Sequence, residues 1–139
     1  MATATTTVTF VGAKGGVGTT TVAAVHAIQL ARQGHTVRLT SADSARVEDL
    51  AALLGVPAPG PGEAVVVIPG LTVADHPAPD GDNVVDAGTD RFSDHCGPVY
   101  VVVRNDYMSL RRALTVPPDH RRHRADHRAQ PRPSPSRCG

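Results

Sequence analysis

Val8-Thr9-Phe10-Val11 is a short apolar, β-branched run, and Gly12 to Gly18 after it is a glycine-rich turn. A run of that kind bounded by turn residues predicts a buried strand. Thr19-Thr20-Thr21 then opens a helix whose apolar members are Val22, Val25, Ile28 and Leu30. Gly34 closes it, as glycine often does just past a helix end. Thr36 to Thr40 reads as a second strand. Val47 to Leu54 reads as a short helix with an apolar face at Val47, Leu50, Leu53 and Leu54, ended by Gly55. PAPGPGE, Pro57 to Glu63, is a loop. Val65 to Ile68 and Leu71 to Ala74 read as strands on either side of Pro69-Gly70. A loop from His76 to Asp82 leads into a short strand, Asn83 to Asp86. Val99 to Arg104 is the most apolar strand, and Tyr107 to Thr115 a short helix. This alternation predicts an α/β fold with a mostly parallel sheet flanked by helices. No internal repeat is visible.

The pattern dissolves at Pro117. Residues 117–139 carry six Arg and five Pro with interspersed His and Ser. Such a segment cannot bury a core, so it is expected to be disordered, leaving residues 1–116 as the folded unit. The net charge of +1 conceals this division. The tail is basic, with only Asp119 and Asp126 against its arginines, and the body is mildly acidic. Two readings of the tail stay open. It is a flexible basic arm for nucleic acid or other anionic phosphates, or an end without selected function. The abrupt change of composition and the absence of aromatic stacking residues favour the second.

The 139 residues are the size of one domain, and 40% apolar content suits a globular protein. With no Trp, two Phe and two Tyr, the core has to be built from Val, Ala and Leu. Cys96 and Cys138 have no CxxC or Cys/His ligand spacing, which argues against a zinc site or a disulfide framework. His120, His123 and His127 lack a folded frame to hold a metal. The Thr-rich N-terminus lacks the basic and apolar regions of a secretory signal, and no apolar stretch nears the roughly 18 residues of a membrane span. A cytoplasmic location is the resulting expectation.

The chemistry lies in VGAKGGVGTTTVAAV, Val11 to Val25. Glycines between a strand and a helix let several backbone N–H groups turn inward on a phosphate, and the helix N-terminus adds its dipole and unpaired donors. In the phosphate-loop pattern GxxxxGK followed by Ser or Thr, the Lys serves the β/γ-phosphates and the hydroxyl serves magnesium. In that register Ala13 takes the first glycine position and Lys14, Gly15, Gly16 and Val17 the variable ones. Gly18 is the second glycine, Thr19 replaces the lysine and Thr20 is the candidate magnesium ligand. Thr21 completes the set of nucleotide-binding candidates.

AKGGVGTTT resembles the deviant Walker A motif of the ParA/MinD family of P-loop ATPases, the CobQ/CobB/MinD/ParA type of nucleotide-binding domain. The resemblance implies ATP and Mg2+ as ligands. It also implies that Lys14, near the start of the loop, reaches across a nucleotide-sandwich homodimer as a catalytic residue. Family members end their second strand in Asp-x-Asp, the second Asp being tied to hydrolysis, and SAD places Ser41 and Asp43 there. A later strand ends in an Asp that holds magnesium through water, and VVDAG supplies Asp86. Each Asp has a plainer reading: Asp43 as a helix N-cap ahead of residues 45–54, Asp86 as an ordinary strand-end residue. VYVVVRND and its helix YMSLRRAL are similar to the family's next strand–helix unit. KGGVGTTT also resembles the CpaE/TadZ branch, where the ATPase is often atypical and placement is the function.

The loop lysine and the first Asp are absent, and the resemblance covers residues 6–116 of a family whose domains run longer. The leading expectation is therefore a truncated, degenerate ParA/MinD-like protein that binds nucleotide weakly and hydrolyses little or none. One alternative is a working ATPase switch acting as a dimer in DNA or protein positioning. The other is a non-enzymatic localisation or adaptor module, with an unknown protein partner, that keeps the fold alone.

Overall fold

In the computed structural model the described residues are 5–89 and 97–114. They form six strands, β1 (Thr6–Gly12), β2 (Val37–Ser41), β3 (Ala64–Ile68), β4 (Leu71–Ala74), β5 (Asp82–Asp86) and β6 (Val99–Val102). Helices α1 (Thr19–Arg32), α2 (Val47–Leu54) and α3 (Tyr107–Leu114) follow β1, β2 and β6, and a single 3-10 turn, Ser44–Arg46, precedes α2. The strands make one sheet in the order β3-β4-β2-β5-β1-β6. β4, β2, β5, β1 and β6 run parallel, and β3 alone is antiparallel, paired with β4. The α/β, mostly parallel expectation therefore holds. The exception is the hairpin at Pro69-Gly70. Gly70 sits at φ +88°, and a Cβ there would stand 2.9 Å from the His35 carbonyl, so only glycine closes this turn without strain. Parallel strands need long crossovers, whereas a two-residue turn dictates antiparallel pairing. The cysteines and the Arg-rich tail lie outside the described residues.

Both α1 and α2 pack on one sheet face. Its core joins Phe10, Val37, Leu39, Leu71, Val73 and Val84 to Ala23, Ala24, Ala27 and Ala31 of α1 and to Val47 and Leu50 of α2. Of the expected helix faces, Val47 and Leu50 are buried and Ile28, Leu30 and Leu54 pack against the core, while three members are corrected. Val22 and Val25 are exposed at 40% and 52%, and Leu53 at 49%, while the alanines of α1 and Ala51 of α2 are buried. α1 crosses the middle of the sheet and touches β1, β2, β4 and β5. Small side chains let its backbone approach that surface closely, and the larger valines are turned outward. Leu39, Leu50 and Leu71 are the largest fully buried side chains among the described residues. Leu50→Ala is expected to destabilise the protein by about 2–5 kcal/mol, the range for a leucine removed from a packed core. Urea unfolding followed by circular dichroism reads this, and a change below about 1 kcal/mol would mean α2 is not part of the core.

The carboxyl ends of four parallel strands meet along one rim. Gly12 N donates to Gly88 O at 2.6 Å, Ala13 N to Val102 O at 2.9 Å and Ala42 N to Asp86 O at 2.9 Å. The segments leaving β1, β2, β5 and β6 are thus tied together edge to edge. In open α/β sheets this rim is where ligands bind.

Candidate functional site

The glycine-rich turn lies on that rim between β1 and α1. Gly16 and Gly18 have φ of +75° and +90°, the left-handed region that reverses the chain here. A Cβ on Gly15, Gly16 or Gly18 would meet no atom within 4 Å, so the loop wraps open space rather than packed protein. Gly18 stands as the N-cap of α1 with no side-chain cap, and Val22 N donates to Gly18 O at 2.9 Å. The unpaired N–H groups of the first helical turn face the loop, an arrangement suited to an anion.

Thr19 and Thr20 take different directions from adjacent positions. Thr20 Oγ1 donates to Asp86 Oδ2 at 2.6 Å. Asp86 is buried at 4% exposure, and its other oxygen, Oδ1, accepts the Gly88 N–H at 3.0 Å. The two residues named as magnesium ligands from the sequence, 66 positions apart, are therefore brought into direct contact. Parallel pairing of β5 with β1, with Phe10 opposite Asp86, is what places them. Thr19, in the lysine position, is 8% exposed and turned into the protein. Its Oγ1 lies 2.5 Å from where a Cβ on Gly12 would stand, so that glycine makes room for it.

Lys14 points elsewhere. Its Nζ pairs with Asp106 Oδ1 at 3.1 Å, with side-chain exposures of 29% and 38%. Asp106 sits between β6 and α3, and in the same region Arg104 Nη1 reaches Gly16 O at 3.5 Å. Val17 and Thr21 complete the loop and first turn; Val17 is half-buried and Thr21 is exposed.

Asp43 lies one strand further on. Its Oδ1 accepts the Ala45 N–H at 3.0 Å and its backbone carbonyl accepts the Arg46 N–H at 2.9 Å. The capping role weighed for it is thus present, on the 3-10 turn rather than on α2, whose own cap position is Arg46. Ser41 Oγ, in the place of the first Asp, accepts the Asp43 N–H at 3.3 Å. Ser41, Asp43, Arg46, Ala87, Gly88 and Thr89 line a cleft of about 250 Å³ over the ends of β2 and β5. The structure thus makes two groupings, Thr20 with Asp86 and Ser41 with Asp43, and it does not bring Lys14 into the lining of that cleft.

No set of three or more His, Cys, Asp or Glu side chains converges on a metal position among the described residues. A hydroxyl beside one carboxylate is instead the donor set magnesium accepts when phosphates and water supply its remaining ligands. Thr20 and Asp86 therefore fit that ion, and the open space over Gly15, Gly16 and Gly18 fits a phosphate.

A crystal structure of a ParA family ATPase from Chlorobium tepidum TLS superposes on the chain with a TM-score of 0.55 and 21% identity, over 79% of this chain and 64% of that one. The chain has a ParA/MinD-like P-loop fold. Residues 6–51, from β1 through most of α2, also match the family of anion-transporting ATPases. The chain spans a little under two thirds of that ParA-type ATPase. No curated protein matches it. No helix among the described residues is long and apolar enough to cross a membrane.

Sequence reasoning missed Asp106, Arg104 and Arg46. RND at 104–106 falls in the stretch similar to the family's next strand–helix unit but marks no site residue there, and SAR at 44–46 carries no motif. Only the adjacency of β6 to β1 and of β2 to β5 brings them to the rim.

Proposed function

We propose that the chain is a nucleotide-binding domain that takes Mg-ATP weakly and hydrolyses it slowly or not at all. One observation carries the reading: Thr20 is hydrogen-bonded to Asp86 beneath an open glycine loop, while Thr19 fills the lysine position and is buried. In this reading the N–H groups of residues 15–21 bind the phosphates, and Thr20 and Asp86 hold magnesium. The ion would supply charge neutralisation on the phosphate oxygens. What the loop lacks is the side-chain cation that stabilises a transferring phosphoryl group. Loss of such a transition-state contact costs about 2.7–4 kcal/mol, or some hundred- to thousandfold in rate. Backbone donors and the helix end stay in place, so binding outlasts turnover.

Calorimetric titration of the full chain with Mg-ATP and Mg-ADP tests this. Heat of binding with hydrolysis near background is the expected outcome. Absence of binding to either nucleotide would leave an adaptor that keeps the fold without its ligand. Steady turnover lost in Lys14→Ala would favour the dimeric switch instead.

The Lys14–Asp106 pair yields a further expectation. An ion pair of this exposure is worth about 0–1 kcal/mol. Asp106→Asn keeps the shape and removes the charge that holds Lys14. If Lys14 then turns to phosphate, Mg-ATP affinity rises by up to about fivefold in the same titration. An unchanged or weakened affinity would show that Lys14 has no part in holding nucleotide.

A further inference from the structure

Thr19 leaves the phosphate site short of one cation, and the chain carries another at its rim. The turn after β2 is fixed by Asp43, which accepts the Ala45 N–H through Oδ1 and the Arg46 N–H through its carbonyl. That geometry folds the Arg46 side chain back over the strand end, with Nε 3.9 Å from Asp43 Oδ2. The guanidinium then lies against Gly88, where Nη1 would be 3.3 Å from a Cβ on that residue. Gly88 directly follows the Asp86-Ala87 step, and its N–H is held by the Asp86 carboxylate. Arg46 thus stands on the wall of a cleft that it shares with Ala87, Gly88 and Thr89, the residues that follow Asp86. The other two basic side chains at this rim have closer partners: Lys14 is 3.1 Å from Asp106, and Arg104 Nη1 is 3.5 Å from Gly16 O.

The cleft is open to solvent and is lined by Arg46 together with the backbone-rich Ala87-Gly88-Thr89 segment. Thr20 and Asp86 would hold magnesium here, and the ion would supply charge neutralisation to the phosphates beside it. The cleft adjoins the candidate magnesium residues through Ala87 and Gly88, which follow Asp86 in the chain, so a phosphate held near Asp86 lies within reach of its wall. A planar guanidinium on its wall matches phosphate oxygens with a forked pair of donors.

We propose that Arg46 is the terminal-phosphate contact of this site, a cation supplied from the turn after β2 in place of the one the loop lacks. The assignment rests on the nucleotide-binding reading above. It makes the site discriminate a nucleoside triphosphate from a diphosphate through one side chain. Arg46 is exposed and outside the core, so its replacement leaves the fold intact.

The test is calorimetric titration of the full-length wild type, Arg46→Ala and Arg46→Lys with Mg-ATP and Mg-ADP, with thermal melts of each. Arg46→Ala is expected to weaken Mg-ATP by about tenfold or more while Mg-ADP stays within about twofold. Arg46→Lys is expected to recover part of the loss, since it keeps the charge and gives up the fork. Equal weakening of both nucleotides would mean Arg46 only shapes the turn, and would overturn the proposal. So would unchanged affinity for both. A wild type that binds neither nucleotide would overturn the proposal and the underlying reading together, whereas binding that is indifferent to Arg46 removes this assignment alone.

Discussion

Gly16→Val is expected to abolish nucleotide binding outright. Gly16 has φ +75°, and nothing lies within 4 Å of where its Cβ would stand. The Cβ of a valine there would meet no protein atom. On the phosphate-loop reading, it would occupy open space beside the loop that a phosphate oxygen takes. The left-handed backbone adds a cost of about 1–2 kcal/mol for a residue with a Cβ, so a lower melting temperature is also expected. Gly15→Ala separates the two effects. Gly15 has no positive φ, and the same open space lies over it. Its alanine variant should keep the wild-type melting temperature and still lose affinity. Equal nucleotide affinity in wild type and Gly16→Val would remove the phosphate-loop reading altogether.

Thr19→Lys has the opposite sign. It restores a charge-assisted contact, so Mg-ATP binding should strengthen by about 1.5–3 kcal/mol. The threonine is buried with its hydroxyl toward Gly12, and a lysine cannot stay in that space. Its flexible four-carbon stem has to run outward along the loop, where the Cβ directions of Gly15, Gly16 and Gly18 are open. Turnover should rise only modestly. Ser41 stands where the family has its first Asp, and Asp43 is engaged in capping the turn at Ala45. Isothermal titration and phosphate release on the same preparation read the two quantities. Tighter binding with near-background release is the expected pair. If Thr19→Lys binds no nucleotide, the deficit lies in the pocket and not in the missing charge.

The loop itself was legible because its signal is local. Glycines at 15, 16 and 18 and a threonine opening the helix specify a strand–turn–helix unit without reference to anything distant. The helix faces were not legible in the same way. Val22 and Val25 carry more hydrophobicity than Ala23 and Ala27, yet the alanines are at or near zero exposure. A hydrophobic pattern weighs side chains by size. Close packing of a central helix on a sheet selects those small enough to let the backbones approach.

The sequence by itself determined the strands and helices, the alternation that makes an α/β sheet, and the phosphate-loop candidates from Lys14 to Thr21. These follow from local periodicity and turn chemistry, which act over a few residues. Only the tertiary structure decided which distant side chains meet at the rim. Insertion of β5 between β1 and β2 puts Asp86 on Thr20 and opens the cleft at Asp43 and Arg46. Placement of β6 on the other side of β1 gives Lys14 its partner in Asp106. Strand order is set by how the whole sheet buries its apolar faces, a balance summed over many residues. No short stretch of the chain contains it.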